Sequence, residues 1–115
     1  MSNREEFEKE VERGNFIRAA AIAEGIGLPK YESDELRKKA LCQMAGTRNS
    51  TGIRELARQY GFSAMELNRV LKDFYQKIKN EGNNRLLEAA YDFQTGKYFS
   101  LIEWIDHYFE RRDLL

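Results

Sequence analysis

One cysteine, one proline, one histidine and one tryptophan occur in the 115 residues, and the formal charge is zero. A lone thiol, Cys42, excludes an intramolecular disulfide, and no paired Cys/His spacing offers a zinc site. The one imidazole, His107, stands beside Asp106 in an aromatic segment, and no Ser, Cys or glycine-rich phosphate loop accompanies it in a catalytic pattern. No apolar run approaches the ~18 residues that cross a bilayer. The N-terminal MSNREEFEKEVERGN is charged throughout and has no apolar segment of the kind a secretory signal needs. These absences predict a protein that is not an enzyme, holds no cofactor or metal, makes no membrane contact, and works in the reducing cytoplasm.

What is present is a helical pattern. At 42% hydrophobic residues, a chain of this length can bury one core without staples. Apolar residues recur three and four apart. The expectation is an all-α fold, a single compact domain over residues 1–115 with about seven helices.

The first helix is expected from Asn3 to Arg13, with Phe7 and Val11 on one face, and the second from Phe16 to about Gly25, with Ile17, Ala20, Ala21 and Ile22 suited to close packing. Ser33 is the expected cap of the third, with Leu36, Ala40, Leu41 and Met44 as its inner stripe and Gly46 at its end. A sixth helix is expected through Leu86, Leu87, Ala90, Tyr91 and Phe93, ending at Thr95 and Gly96. The seventh, YFSLIEWIDHYF from Tyr98 to Phe109, has apolar residues on two adjoining faces, more than a small core usually uses. Leu101, Trp104 and Tyr108 on the second of those faces are therefore candidates for a homodimer or partner interface.

Charge is unevenly spread. Residues 1–46 hold 8 Lys/Arg against 9 Asp/Glu, residues 47–80 hold 7 against 3, and residues 81–115 hold 4 against 7. A basic middle between mildly acidic flanks suits one face turned to a polyanion.

That basic middle contains ELARQYGFSAMELNRVL. Ile53, Leu56, Ala57 and Tyr60 share one helical side, Gly61 supplies a left-handed turn, and Ser63 with Glu66 makes a capping box from which a second helix starts at Ala64. The inner residues of this fifth helix are Leu67, Val70, Leu71, Phe74 and Ile78.

Ile53 to Lys72 resembles the bacterial helix-turn-helix DNA-binding motif, within an element spanning residues 51–79. Ala57 stands where that family has a small residue between the helices, Gly61 at its turn, and Leu56, Tyr60, Phe62, Leu67 and Val70 at its apolar positions. The resemblance implies duplex DNA as partner, with Ser63, Ala64, Met65, Asn68, Arg69 and Lys72 facing the major groove. Arg69 suits a guanine, Asn68 an adenine, and Ala64 or Met65 a thymine methyl. Arg48, Arg54, Arg58, Lys77 and Lys79, with the amides of Ser50 and Thr51, are the expected phosphate contacts. The function expected is that of a small bacterial transcriptional regulator. The alternative is a helical protein-interaction or structural module that uses its aromatic last helix and touches no nucleic acid.

Overall fold

The computed structural model describes residues 3–110. They form two compact units that divide between Gln43 and Met44. The fold is all-α apart from one small hairpin.

In the first unit, α1 (Asn3–Glu12) packs against α2 (Phe16–Gly25). The chain reverses at Gly14, whose φ of 74° is open to a residue without Cβ, and the Asn15 N–H closes the turn on the Glu10 carbonyl at 2.9 Å. The buried face of α2 is Ala19, Ala20 and Ala23, which have almost no side chain to hold another helix away. Ile17 and Ala21, expected to pack, stand on the exposed side. The Gln43 amide ties the turn to α3 by donating to the Gly14 carbonyl and accepting from the Phe16 N–H.

Helix α3 (Lys30–Gly46) begins earlier than its expected cap. Ser33 is buried one turn inside it, because the Pro29 carbonyl already accepts from the N–H groups of Glu32 and Ser33. A proline with its φ fixed near the helical value starts the turn that a serine was expected to start.

The second unit holds α4 (Ser50–Tyr60), α5 (Ala64–Glu81), the single turn α6 (Asn84–Leu87), the strands β1 (Ala90–Asp92) and β2 (Lys97–Phe99), and α7 (Leu101–Phe109). Its buried residues include Ile53, Leu56, Ala57, Leu67, Leu71, Ile78, Leu101, Trp104 and Ile105. Helix α5 packs against α7.

Residues 90–99 depart from expectation. The sixth helix stops at Leu87, and the chain then makes an antiparallel hairpin pairing Ala90 with Phe99, Tyr91 with Tyr98 and Asp92 with Lys97. Turn chemistry explains the difference. Asp92 Oδ2 accepts from the Thr95 N–H and hydroxyl at 3.1 and 2.7 Å, while Gly96, at φ 71°, donates its N–H to the Asp92 carbonyl at 2.8 Å. Three residues so tied outweigh a helical spacing of apolar side chains. Helix α7 consequently starts at Leu101, where Ser100 and Glu103 form a capping box.

Candidate nucleic-acid interface

Local chemistry joins α4 to α5 as the sequence predicts. Gly61 sits at φ 78° and its N–H reaches the Ala57 and Arg58 carbonyls, and the Phe62 N–H closes on the Ala57 carbonyl at 2.9 Å. Ser63 Oγ then accepts from the Glu66 N–H at 3.1 Å while the Glu66 carboxylate accepts from the Ser63 N–H at 3.1 Å. Ala57 and Leu67 are wholly buried, and Leu56 nearly so.

With Leu67 and Leu71 turned inward, the outer face of the first two turns of α5 presents Ser63, Met65 and Arg69 exposed and Ala64 half-buried. Met65 is 63% exposed, a high value for an apolar side chain. Arg69, one turn beyond it, has no partner among the described residues and is exposed. Ala64, Met65 and Arg69, together with Asn68, Lys72, Phe109 and Glu110, line a groove of about 360 Å³.

The other two predicted base-reading residues are engaged. The Asn68 amide donates to the Phe109 carbonyl at 3.1 Å and to Glu110 Oε2 at 3.5 Å. Lys72 Nζ is 2.6 Å from Asp106 Oδ1 and 3.2 Å from Glu110 Oε2. Its hydrogen bond to Asp106 raises the Lys72 pKa further above the usual lysine value, so the ammonium stays charged and paired.

The predicted phosphate contacts separate into two groups. Arg58, Lys77, Lys79 and Thr51 are exposed as expected. Arg48, Arg54 and Ser50 are not available. Arg48, itself in the left-handed region at φ 57°, donates to the carbonyls of Phe99, Leu86 and Glu88 at 3.0, 3.3 and 3.0 Å and lies 5.8 Å from the centre of the Trp104 ring. Burial lowers its pKa from the usual arginine value, yet it remains a cation. Arg54 donates to the Tyr108 carbonyl at 3.2 Å and lies over the rings of Tyr108 and Phe109, each at 5.6 Å. Ser50 is buried, and the Asn49 side chain caps α4 by accepting from the Gly52 N–H at 2.9 Å.

The predicted partner interface on α7 is also corrected. Leu101, Trp104 and Tyr108 are buried inside the second unit, Trp104 with only 1% of its surface exposed. Arg48 and Arg54, expected at phosphates, instead lie over the two rings of this set, Trp104 and Tyr108.

An exposed aromatic cluster appears instead on the hairpin. Tyr91, Phe93 and Tyr98 are exposed, with the Tyr91 ring 5.0 Å from Phe93 and 5.3 Å from Tyr98, and Phe93 is 89% exposed. The alternation of YDF with KYF around QTG was the available signal for it.

Beneath the hairpin, the Tyr108 hydroxyl donates to Asp92 Oδ2 at 2.6 Å. Burial and this bond push the Tyr108 pKa up to about 12. Burial also pushes the Asp92 carboxyl upward, but hydrogen bonds from Tyr108 and Thr95 prevail and hold it below the usual carboxylate value. His107 stacks on Phe99 at 5.0 Å and meets the Tyr108 ring edge-on at 4.6 Å. Among the described residues no group of His, Cys, Asp and Glu could hold a metal, and no helix is long and apolar enough to cross a membrane.

Comparison with family models of known proteins, with curated proteins and with solved structures returns no match. The class that the fold defines is an all-α protein with two helices set at a tight glycine turn, and function rests on the residues themselves.

Proposed function

We propose that the chain binds duplex DNA in a sequence-specific way, as a small transcriptional regulator of the bacterial helix-turn-helix kind acting in the cytoplasm, with the N-terminal turns of α5 in the major groove. The observation that carries this reading is the exposure of Met65 and Arg69 on the outer face of a helix that buries Leu67 and Leu71 on its inner face and is started by the Gly61 turn and the Ser63 capping box. Arg69 reads a guanine by its two-pronged donor edge, and Met65 packs against a thymine methyl. Arg58, Lys77 and Lys79 hold phosphates and make affinity fall with salt. One such motif rarely binds tightly without a second half-site, so two copies would occupy one operator.

Selection of the purified protein on a random-sequence duplex library at two salt concentrations tests the proposal, with Arg69→Ala beside it. Enrichment of a motif that the variant reads about 1–3 kcal/mol more weakly supports it. Absence of both enrichment and salt-dependent retention overturns it.

The hairpin aromatics favour a second reading, a protein-interaction module whose contact surface is Tyr91, Phe93 and Tyr98 and not α7. That reading expects Phe93→Ser to abolish capture of a protein partner and Arg69→Ala to leave it intact.

A further inference from the structure

The geometry points to the C-terminal end of α7 as a built-in competitor for the DNA-reading face of α5: Asp106 and Glu110 occupy Lys72, and Glu110 with the Phe109 carbonyl occupies Asn68, where the proposed DNA would otherwise make its contacts. This inference rests on the proposed function and adds to it a means of regulation.

Four polar contacts converge on two residues one turn apart. Lys72 Nζ meets two carboxylates, at 2.6 and 3.2 Å, and the Asn68 amide meets a main-chain carbonyl and one of the same carboxylates, at 3.1 and 3.5 Å. The acceptors are all oxygens, two of them anionic, and Phe109 and Glu110, which carry two of them, line the same groove as Met65 and Arg69. A carboxylate pair bound to a lysine offers it what a phosphate pair offers, fixed oxygen acceptors carrying negative charge. DNA and the end of α7 therefore satisfy the same donors and cannot do so together.

The strength of the contact suits a brake that can be released. Both ion pairs are well exposed, with Lys72 37%, Asp106 50% and Glu110 58% exposed at their side chains. Exposed pairs of this kind favour the closed arrangement by at most about fivefold each. Arg69 and Met65 stay uncovered and are available for first encounter. Glu110 is the C-cap of α7, so the contact sits at a helix end, where local opening costs least.

The test compares the full chain with Asp106→Asn/Glu110→Gln and with a control, Glu55→Gln/Glu81→Gln, that makes the same charge change at exposed positions outside the groove. Two quantities are read: affinity for a mixed-sequence 30-base-pair duplex at low and near-physiological salt, and the rate at which Lys72 is acylated by an amine reagent, followed by mass spectrometry.

The inference expects the groove variant to bind about 5- to 20-fold tighter than the wild type, the control to gain about twofold or less, and Lys72 to react faster in the groove variant alone. Wild-type binding that the groove variant and the control improve equally overturns the inference and leaves the proposed function standing. Unchanged Lys72 reactivity in the groove variant overturns it as well, because the contact is then not present to be released. Binding by none of the three overturns the proposed function and this inference together.

Discussion

Tyr108 and Asp92 meet at 2.6 Å, hydroxyl to carboxylate, across the gap between α7 and the first strand of the hairpin. Asp92 is also the residue that shapes the hairpin turn through Thr95, so one carboxylate both forms the turn and fastens it to a helix.

Removing the hydroxyl separates these roles. Tyr108→Phe keeps the ring but leaves Asp92 without its helix partner, and it is expected to lower stability by about 1.5–3 kcal/mol at neutral pH, the range for a hydrogen bond to a charged group. The pH dependence follows from the shifts. The Tyr108 pKa is raised from about 10 to about 12, so its contribution is complete below about pH 10 and is lost as pH climbs toward 12. The Asp92 pKa is lowered, so its contribution is present above the usual carboxylate range and is lost as pH falls through its depressed value. Urea unfolding across pH checks this: the gap between wild type and variant is widest near neutrality and closes at both ends.

Arg48→Lys is expected to be as harmful as a loss of the side chain. Three carbonyls from residues 86, 88 and 99 converge on one guanidinium, and a single ammonium cannot reach them with the same fork of donors. Orphaned carbonyls at this partly buried point should cost about 2 kcal/mol or more. A drop in midpoint on thermal unfolding in Arg48→Lys matching that of Arg48→Ala would confirm it, and an intact midpoint would refute it.

Ala57→Leu tests the corner between α4 and α5. Ala57 has no exposed surface, so three added carbons must push the helices apart or strain their side chains, at about 1–3 kcal/mol. Gly61→Ala should cost about 1–2 kcal/mol through its left-handed backbone alone, since nothing crowds an added Cβ there. Chemical denaturation distinguishes the two causes. The first variant should also lose any DNA binding in excess of its stability loss, because it moves α5.

Trp104→Ala addresses the corrected interface. A ring buried to 1% exposure among Tyr108, Phe109 and the Arg48 guanidinium should cost about 3–5 kcal/mol when truncated. Thermal unfolding would register that loss. A variant of unchanged stability that sedimented as a smaller species would return Trp104 to a subunit contact.

What the sequence made legible was local. Gly61 and the Ser63/Glu66 box each depend on neighbours within a few residues, and the turn from α4 into α5 formed as read. The assignments that changed depend on distant partners. Lys72 meets Asp106 34 positions away, Asn68 meets Phe109 41 away, Arg48 meets Phe99 51 away and Arg54 meets Tyr108 54 away. A basic residue beside a turn looks the same in sequence whether it awaits a phosphate or a carbonyl. The hairpin was missed for a different reason. Leu86, Leu87, Ala90, Tyr91 and Phe93 fit a helical spacing, and the bonds of Asp92 to Thr95 and Gly96 that overrule it involve polar residues, which that spacing ignores.

The burial of Trp104 has a practical consequence. The chain's one tryptophan lies in the second unit, so its fluorescence is a native optical label for that unit, while Tyr31, Phe7 and Phe16 of the first unit contribute nothing at its excitation edge. In a ring held away from water, emission lies toward the blue and shifts red when the surrounding core opens. A melt followed at that wavelength and again by far-ultraviolet dichroism, which sees the helices of both units, would report whether residues 3–43 and residues 44–110 unfold in one transition or in two.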